Sequence, residues 1–162
     1  MKQILLFAMA IATTLFSFAG DEKPLVISAG QLTNIEVGSN MKVVLVNAKS
    51  LSAQKSTSLI DASQKLYISI SGGTLHLDAR NLRLNEKVYV VVDNIESLTL
   101  GNNTVVETDN YIDGKKIKVN VGDESFVRLV TPGSVDAFGS DGLAIDVQTR
   151  PLVSPKTKVA IF

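Results

Sequence analysis

The chain has no cysteine and no tryptophan among its 162 residues. Without cysteine there are no disulfide staples, thiolate metal ligands or thiol nucleophiles. An acylated N-terminal cysteine is excluded too. The lack of tryptophan argues against a lectin that works by broad aromatic stacking. Sixteen basic residues balance sixteen acidic ones, so net charge gives no reason to expect binding to nucleic acid or an anionic membrane. No Gly-x-Ser-x-Gly elbow, phosphate-binding loop or Gly-x-Gly-x-x-Gly fingerprint occurs. There is one histidine, His76.

What is present begins with an address. Lys2 precedes an apolar run from Ile4 to Leu15, and Ser17-Phe18-Ala19 is a small-x-small cleavage pattern. This predicts a secretory signal peptide over residues 1–19 and a single domain over 20–162, with no transmembrane segment after cleavage. Removing the leader takes away one lysine and no acid, leaving 15 basic against 16 acidic residues, a net charge of −1. An exported chain without disulfides has to hold together by burial and backbone pairing alone. At this length it can form a substantial core.

The remainder is written in period two. Lys42–Val46, Leu66–Ile70, Thr74–Asp78 and Ile117–Val121 alternate apolar with polar residues, the pattern of half-buried strands. Val88–Val92 is more continuously apolar and predicts a strand covered on both faces. Turn residues interrupt at Gly72-Gly73, Asp93-Asn94, Asp113-Gly114 and Pro132-Gly133. The only helix candidate is a turn or two between Ala48 and Gln64. One pattern appears three times: IEVGSNMKV from Ile35, LTLGNNTVV from Leu98 and VNVGDESFV from Val119. Each reads as strand, Gly-led turn, strand. Gly38, Gly101 and Gly122 are expected to serve as small turn residues with positive φ. Gly101 and Gly122 are 21 residues apart, a plausible coil length, and Gly72-Gly73 reads as an imperfect intermediate copy. The fold class expected from these patterns is all-β, either a β-solenoid coiled like a parallel β-helix or a β-sandwich.

Candidate chemistry is sparse. His76 is in phase with Thr74 and Asp78 and is expected to face solvent, without an orienting partner near it in sequence. Gly139–Leu143, with Asp136 and Asp146, resembles one unit of a calcium-binding glycine-aspartate repeat, where several tandem units are needed. Asp109, Asp113, Asp123 and Glu124 read as turn acids. A carbohydrate-cleaving groove would need Asp109, Asp123 and Arg128 to converge. Lys115, Lys116 and Lys118 form too small a patch for nucleic acid. Phe126 and Phe138 are expected in the core, and Asn120, Ser125 and Arg128 on the surface. Asn102-Asn103-Thr104 is a glycosylation sequon. The C-terminal Lys158–Phe162 lacks the alternation of a closing barrel strand and reads as a last strand over the end of the domain. No catalytic, cofactor or metal residue is assigned.

Leu32–Gly38 leading into Lys42–Leu45, then Gly73–Leu77, Lys87–Val92 and Asn94–Gly101, resemble in order and spacing the head GIN domain family of exported Bacteroidetes-type proteins, which carries an auto-transporter adhesin label. The resemblance runs from about Ile27 to about Leu143. It implies a right-handed parallel β-helix-like fold and a place in the cell envelope or at the surface, and it brings no catalytic residues. The missing lipid-anchor cysteine favours a soluble periplasmic or secreted form. The reading is of a non-enzymatic envelope module, an adhesin or interaction scaffold, with a polysaccharide-active enzyme as the alternative. Expected partners are a cell-surface glycan or envelope protein, and further copies through strand edges, but not nucleic acid.

Overall fold

A computed structural model describes residues 25–50, 64–83, 85–139 and 144–149. The expected signal peptide, the Ser140–Leu143 part of the glycine-aspartate segment and Lys158–Phe162 lie outside the described residues, as do residues 51–63 of the helix candidate. At its ends, Ala48–Ser50 forms a short 3-10 turn and Gln64 and Lys65 are helical.

Twelve strands are present among the described residues: β1 Leu25–Gly30, β2 Asn34–Val37, β3 Lys42–Asn47, β4 Leu66–Ser71, β5 Thr74–Ala79, β6 Lys87–Val92, β7 Ser97–Leu100, β8 Val105–Thr108, β9 Lys116–Val121, β10 Phe126–Thr131, β11 Ser134–Gly139 and β12 Ala144–Thr149. The fold is all-β. The first sheet has the order β1-β6-β3-β8-β10-β12 and the second β11-β9-β7-β2-β5-β4. Neither closes on itself. Every pairing is parallel except β4 with β5.

The period-two segments form strands because each buries a row of side chains; β3 departs from the half-buried expectation, since Val43 through Val46 are all buried and it is covered on both faces. Ile35, Leu98, Val119 and Leu75 point inward from the second sheet and meet Val43, Val88, Val106 and Val127 from the first in one continuous core. Each such side chain contributes roughly 1.5–3 kcal/mol on burial. The all-apolar run is covered on both faces as expected: Val88 through Val92 are all buried. Val88, Val90 and Val92 belong to the main core. Tyr89 and Val91 join Val26, Val44 and Val46 in a separate cluster on the outer side of the first sheet.

The repeated motif is one structural unit stacked three deep. Ile35 pairs with Leu98, and Leu98 with Val119. The 63-residue interval between the first two copies is thus a single step between neighbouring layers. Chain order and spatial order diverge here. After β3 the chain passes to the far side of the β2/β3 layer, where β5 pairs with β2 and β6 with β3. It returns with β7 and β8 on the other side.

Three expectations about this unit are corrected. The positive φ values belong to Asn40, Asn103 and Glu124, two residues after each glycine, and not to Gly38, Gly101 or Gly122. The glycines are needed for space: a Cβ on Gly101 would lie 2.7 Å from the Ser39 nitrogen, and one on Gly122 2.7 Å from the Gly101 carbonyl carbon. Gly72-Gly73, both at positive φ, is no copy of the motif. It is the tight turn of the antiparallel β4–β5 hairpin, where a two-residue loop requires that backbone. Ser125 is 6% exposed. Its hydroxyl donates to the Gly101 carbonyl at 2.7 Å and accepts from the Thr104 N–H at 2.9 Å.

Phe138 also departs from the core expectation. It lies outward on edge strand β11 and is 54% exposed. Phe126 is half-buried, with the Arg128 guanidinium 5.5 Å from its ring. At this end of the sheets Ile145, paired with core residue Val127, is only partly buried, and Val147, paired with Leu129, is exposed.

Candidate functional site

The two sheets present different outer faces. On the first sheet, the apolar cluster around Val44 and Tyr89 is buried. The row then continues through Glu107, Arg128 and Asp146. Arg128 Nε lies 3.1 Å from Asp146 Oδ2, and Nη1 lies 3.7 Å from Glu107 Oε1. This guanidinium is occupied by its neighbours. Burial pushes the Tyr89 phenol above its ordinary pKa of 10, and the Asp109 carboxylate adds to the shift.

The second sheet turns a polar face outward. Because the strands are in register, the outward side chains form rows running across them. One row is Ser69, His76, Glu36, Thr99, Asn120 and Phe138. Beside it runs Ser71, Thr74, Asn34, Ser97, Lys118 and Asp136. Parallel strands lie about 4.8 Å apart, so each row offers one side chain at that interval, polar at every position except Phe138.

His76 does have an orienting partner, one that local sequence did not reveal. Its Nδ1 lies 3.0 Å from Glu36 Oε2, brought there by the parallel β2–β5 register. A neutral ring donating from Nδ1 leaves Nε2 as an acceptor. Around this pair is a shallow depression of about 510 Å³ lined by Glu36, Gly38, Tyr67, Ser69, Ser71, His76, Leu77 and Asp78. Gly38 leaves room for the Asp78 carboxylate, which a Cβ at that position would strike. Tyr67 is 57% exposed, and the Arg80 guanidinium sits 5.1 Å from its ring centroid. Residue types set at this spacing can hydrogen-bond hydroxyl groups and offer an aromatic surface.

At the other end of the face, Asn34, Asn94, Glu96, Ser97, Lys115, Lys116 and Lys118 line a second open depression of about 740 Å³. Lys116 is 2.8 Å from Asp136, and hydrogen bonding to that carboxylate raises its pKa above the usual 10.5. Lys49 is raised in the same way by Asp113, at 2.7 Å. The lysine cluster is thus interleaved with acids.

The remaining sequence candidates are dispersed. Asp123 sits in the turn before β10, where its N–H donates to Asn102 Oδ1. Arg128 lies beyond that turn on β10, in register with Glu107 and Asp146. Asp109 follows the far end of β8 and donates its N–H to Leu45 O. The structure therefore does not bring Asp109, Asp123 and Arg128 together. Asp136 and Asp146 lie on the outer faces of different sheets. In the sequon, Thr104 is buried, its hydroxyl donating to Gly38 O at 2.8 Å. Asn120 is exposed as expected and donates to Thr99 Oγ1 at 3.3 Å. Among the described residues no group of three or more His, Cys, Asp or Glu is placed to hold a metal ion, and no helix is long and apolar enough to cross a membrane. Glu36, Tyr67 and Thr99 were missed by sequence reasoning, since only the interstrand register gives them a common face.

No family model, no curated protein and no solved structure matches the chain.

Proposed function

We propose that this protein is a non-enzymatic, exported interaction module of the cell envelope, adhesin-like in use, built as a right-handed parallel β-solenoid of the head GIN type. The observation that carries the reading is the outer face of the second sheet, an in-register polar surface spanning six strands, with outward groups exposed or half-buried. The stacked Gly-led turns hold its layers at fixed spacing, which suits a rigid binding surface. The signal-peptide pattern over residues 1–19 supports export, and the cysteine-free sequence supports a form without a lipid anchor. Among the described residues β11 and β12 are edge strands, and such edges are a second contact region that favours self-association.

The test is fractionation of the native cell with antibody detection, followed by binding of the purified protein to envelope material. Recovery in the periplasm, outer surface or medium, with saturable binding to envelope material, is the expected result. Retention of Met1 and cytoplasmic recovery would overturn the export reading. Glycan cleavage by the purified protein, abolished by a point change, would overturn the non-enzymatic one. Light scattering that shows a concentration-independent monomer would remove the self-association element.

A further inference from the structure

The rows on the second sheet identify a ligand class, an inference that rests on the envelope-binding reading above. Three observations converge. The first is dimension: six strands at about 4.8 Å give a row roughly 24 Å long, and the interval is close to the length of one pyranose residue in an extended chain. The second is chemistry. Hydroxyl and amide groups run across the face, with Thr74, Asn34, Ser97, Thr99 and Asn120 on neighbouring strands. The charged groups stand among them and are mixed in sign: Glu36 on β2 stands beside His76 on β5, and Lys118 on β9 is paired in register with Asp136 on β11. Such a face suits an uncharged polyol better than a polyanion. The third is the placement of aromatics. Tyr67 flanks the face at β4 and Phe138 ends the row at β11, each more than half exposed, while most other large apolar groups of the described residues are buried.

The geometry points to a binding site for an extended, neutral, β-linked glycan chain laid across the strands of the second sheet. Phe138 stacks on a sugar at one end and Tyr67 on a sugar at the other. Glu36 and Asp78 accept from hydroxyl groups in the depression, and Asn120 both donates and accepts along the row. Aromatic and polar contacts of this kind are individually modest and add along the chain, so affinity grows with ligand length until the row is filled, at roughly five residues.

The experiment is calorimetric titration of the purified chain with β-1,4-linked gluco-oligosaccharides, a trisaccharide and a hexasaccharide. The hexasaccharide is expected to bind more tightly. Tyr67→Ala and Phe138→Ala are each expected to weaken it roughly three- to tenfold, with Asn120→Ala as a third surface variant and Arg128→Ala leaving binding unchanged. Equal affinity for the two oligosaccharides, unchanged hexasaccharide binding in all three face variants, or stronger binding of polygalacturonate would overturn the inference. The same proteins are then applied to envelope material. Native protein that binds the envelope but not the hexasaccharide refutes the glycan site and leaves the envelope role standing. Native protein that binds neither refutes both.

Discussion

Replacing Gly122 with alanine places a Cβ 2.6 Å from Asn102 Oδ1, 2.7 Å from the Gly101 carbonyl carbon and 2.8 Å from the Gly101 oxygen. Two of the three contacts are backbone, so no rotamer change relieves them. The layers must separate locally or the turn must deform. Overpacking of this kind costs about 1–3 kcal/mol. The displaced turn also carries the Gly122 N–H donation to Leu100 O at 3.0 Å and the Asn103 N–H donation to Asp123 O at 2.8 Å. Loss of one such bond adds about 0.5–1.5 kcal/mol. The variant is therefore expected to lose about 2–4 kcal/mol. With a urea dependence of about 2 kcal/mol per molar, the middle of the usual range, the midpoint falls by roughly 1–2 M. The assay is urea unfolding followed by circular dichroism and tyrosine emission. Gly72→Ala is the reference. Gly72 has φ +57° and open space around its absent Cβ, so it costs only the left-handed backbone penalty, about 1–2 kcal/mol. A Gly122→Ala midpoint equal to that of the native chain, or a larger loss at Gly72, would refute the stacking account of the motif.

Further outcomes follow from the same geometry. Ser125→Ala leaves the buried Thr104 N–H without its hydroxyl acceptor and should cost about 1–3 kcal/mol in the same unfolding assay, whereas an exposed serine would cost nothing. Arg128→Ala should change stability by no more than about 1 kcal/mol, with even that difference shrinking at high salt, because its ion pairs are exposed. Because burial raises the Tyr89 phenol above 10, the folded state keeps a proton that the unfolded state releases. That contribution is complete below pH 10 and is lost as pH rises through the folded pKa. Alkaline unfolding curves should therefore be shallower for Tyr89→Phe than for the native chain.

The strands were largely legible in the sequence, and their neighbours were not. Alternation located β3, β4, β5 and β9, because burial of a face imposes period two on the residues themselves, and the continuous apolar run located β6, which is covered on both faces. The triple motif announced stacked turns, and its glycines do stack. Their role was misread, since close approach between layers leaves the same glycine in the sequence as positive φ does. Gly72-Gly73 between two alternating runs is a hairpin signal, and the β4–β5 pairing follows it rather than the spacing of the repeat. That the 63-residue interval is a single step between layers was not legible, because nothing local tells the chain to place β5 and β6 beyond β2 and β3.

The candidate face was less legible for a related reason. His76 was recognisable as outward, whereas Glu36 lies 40 positions earlier and meets it only through parallel register. Ser125 lay in a polar turn sequence, GDESF, and was read as surface. Its burial follows from the layer above, where Gly101 and Thr104 supply hydrogen-bond partners. Phe138 looked like core by composition, yet it is the outward residue of an edge strand.

The most direct test of the account compares two blocks of substitutions for retention of the purified protein on envelope material. One block removes Glu36, Thr99 and Asn120 from the outer face of the second sheet. The other removes Glu107, Arg128 and Asp146 from that of the first. Both alter exposed or half-buried positions, and unfolding curves confirm that each protein is folded. The account predicts that retention collapses in the first block and persists in the second. Undiminished retention in the first block, or loss confined to the second, would contradict it.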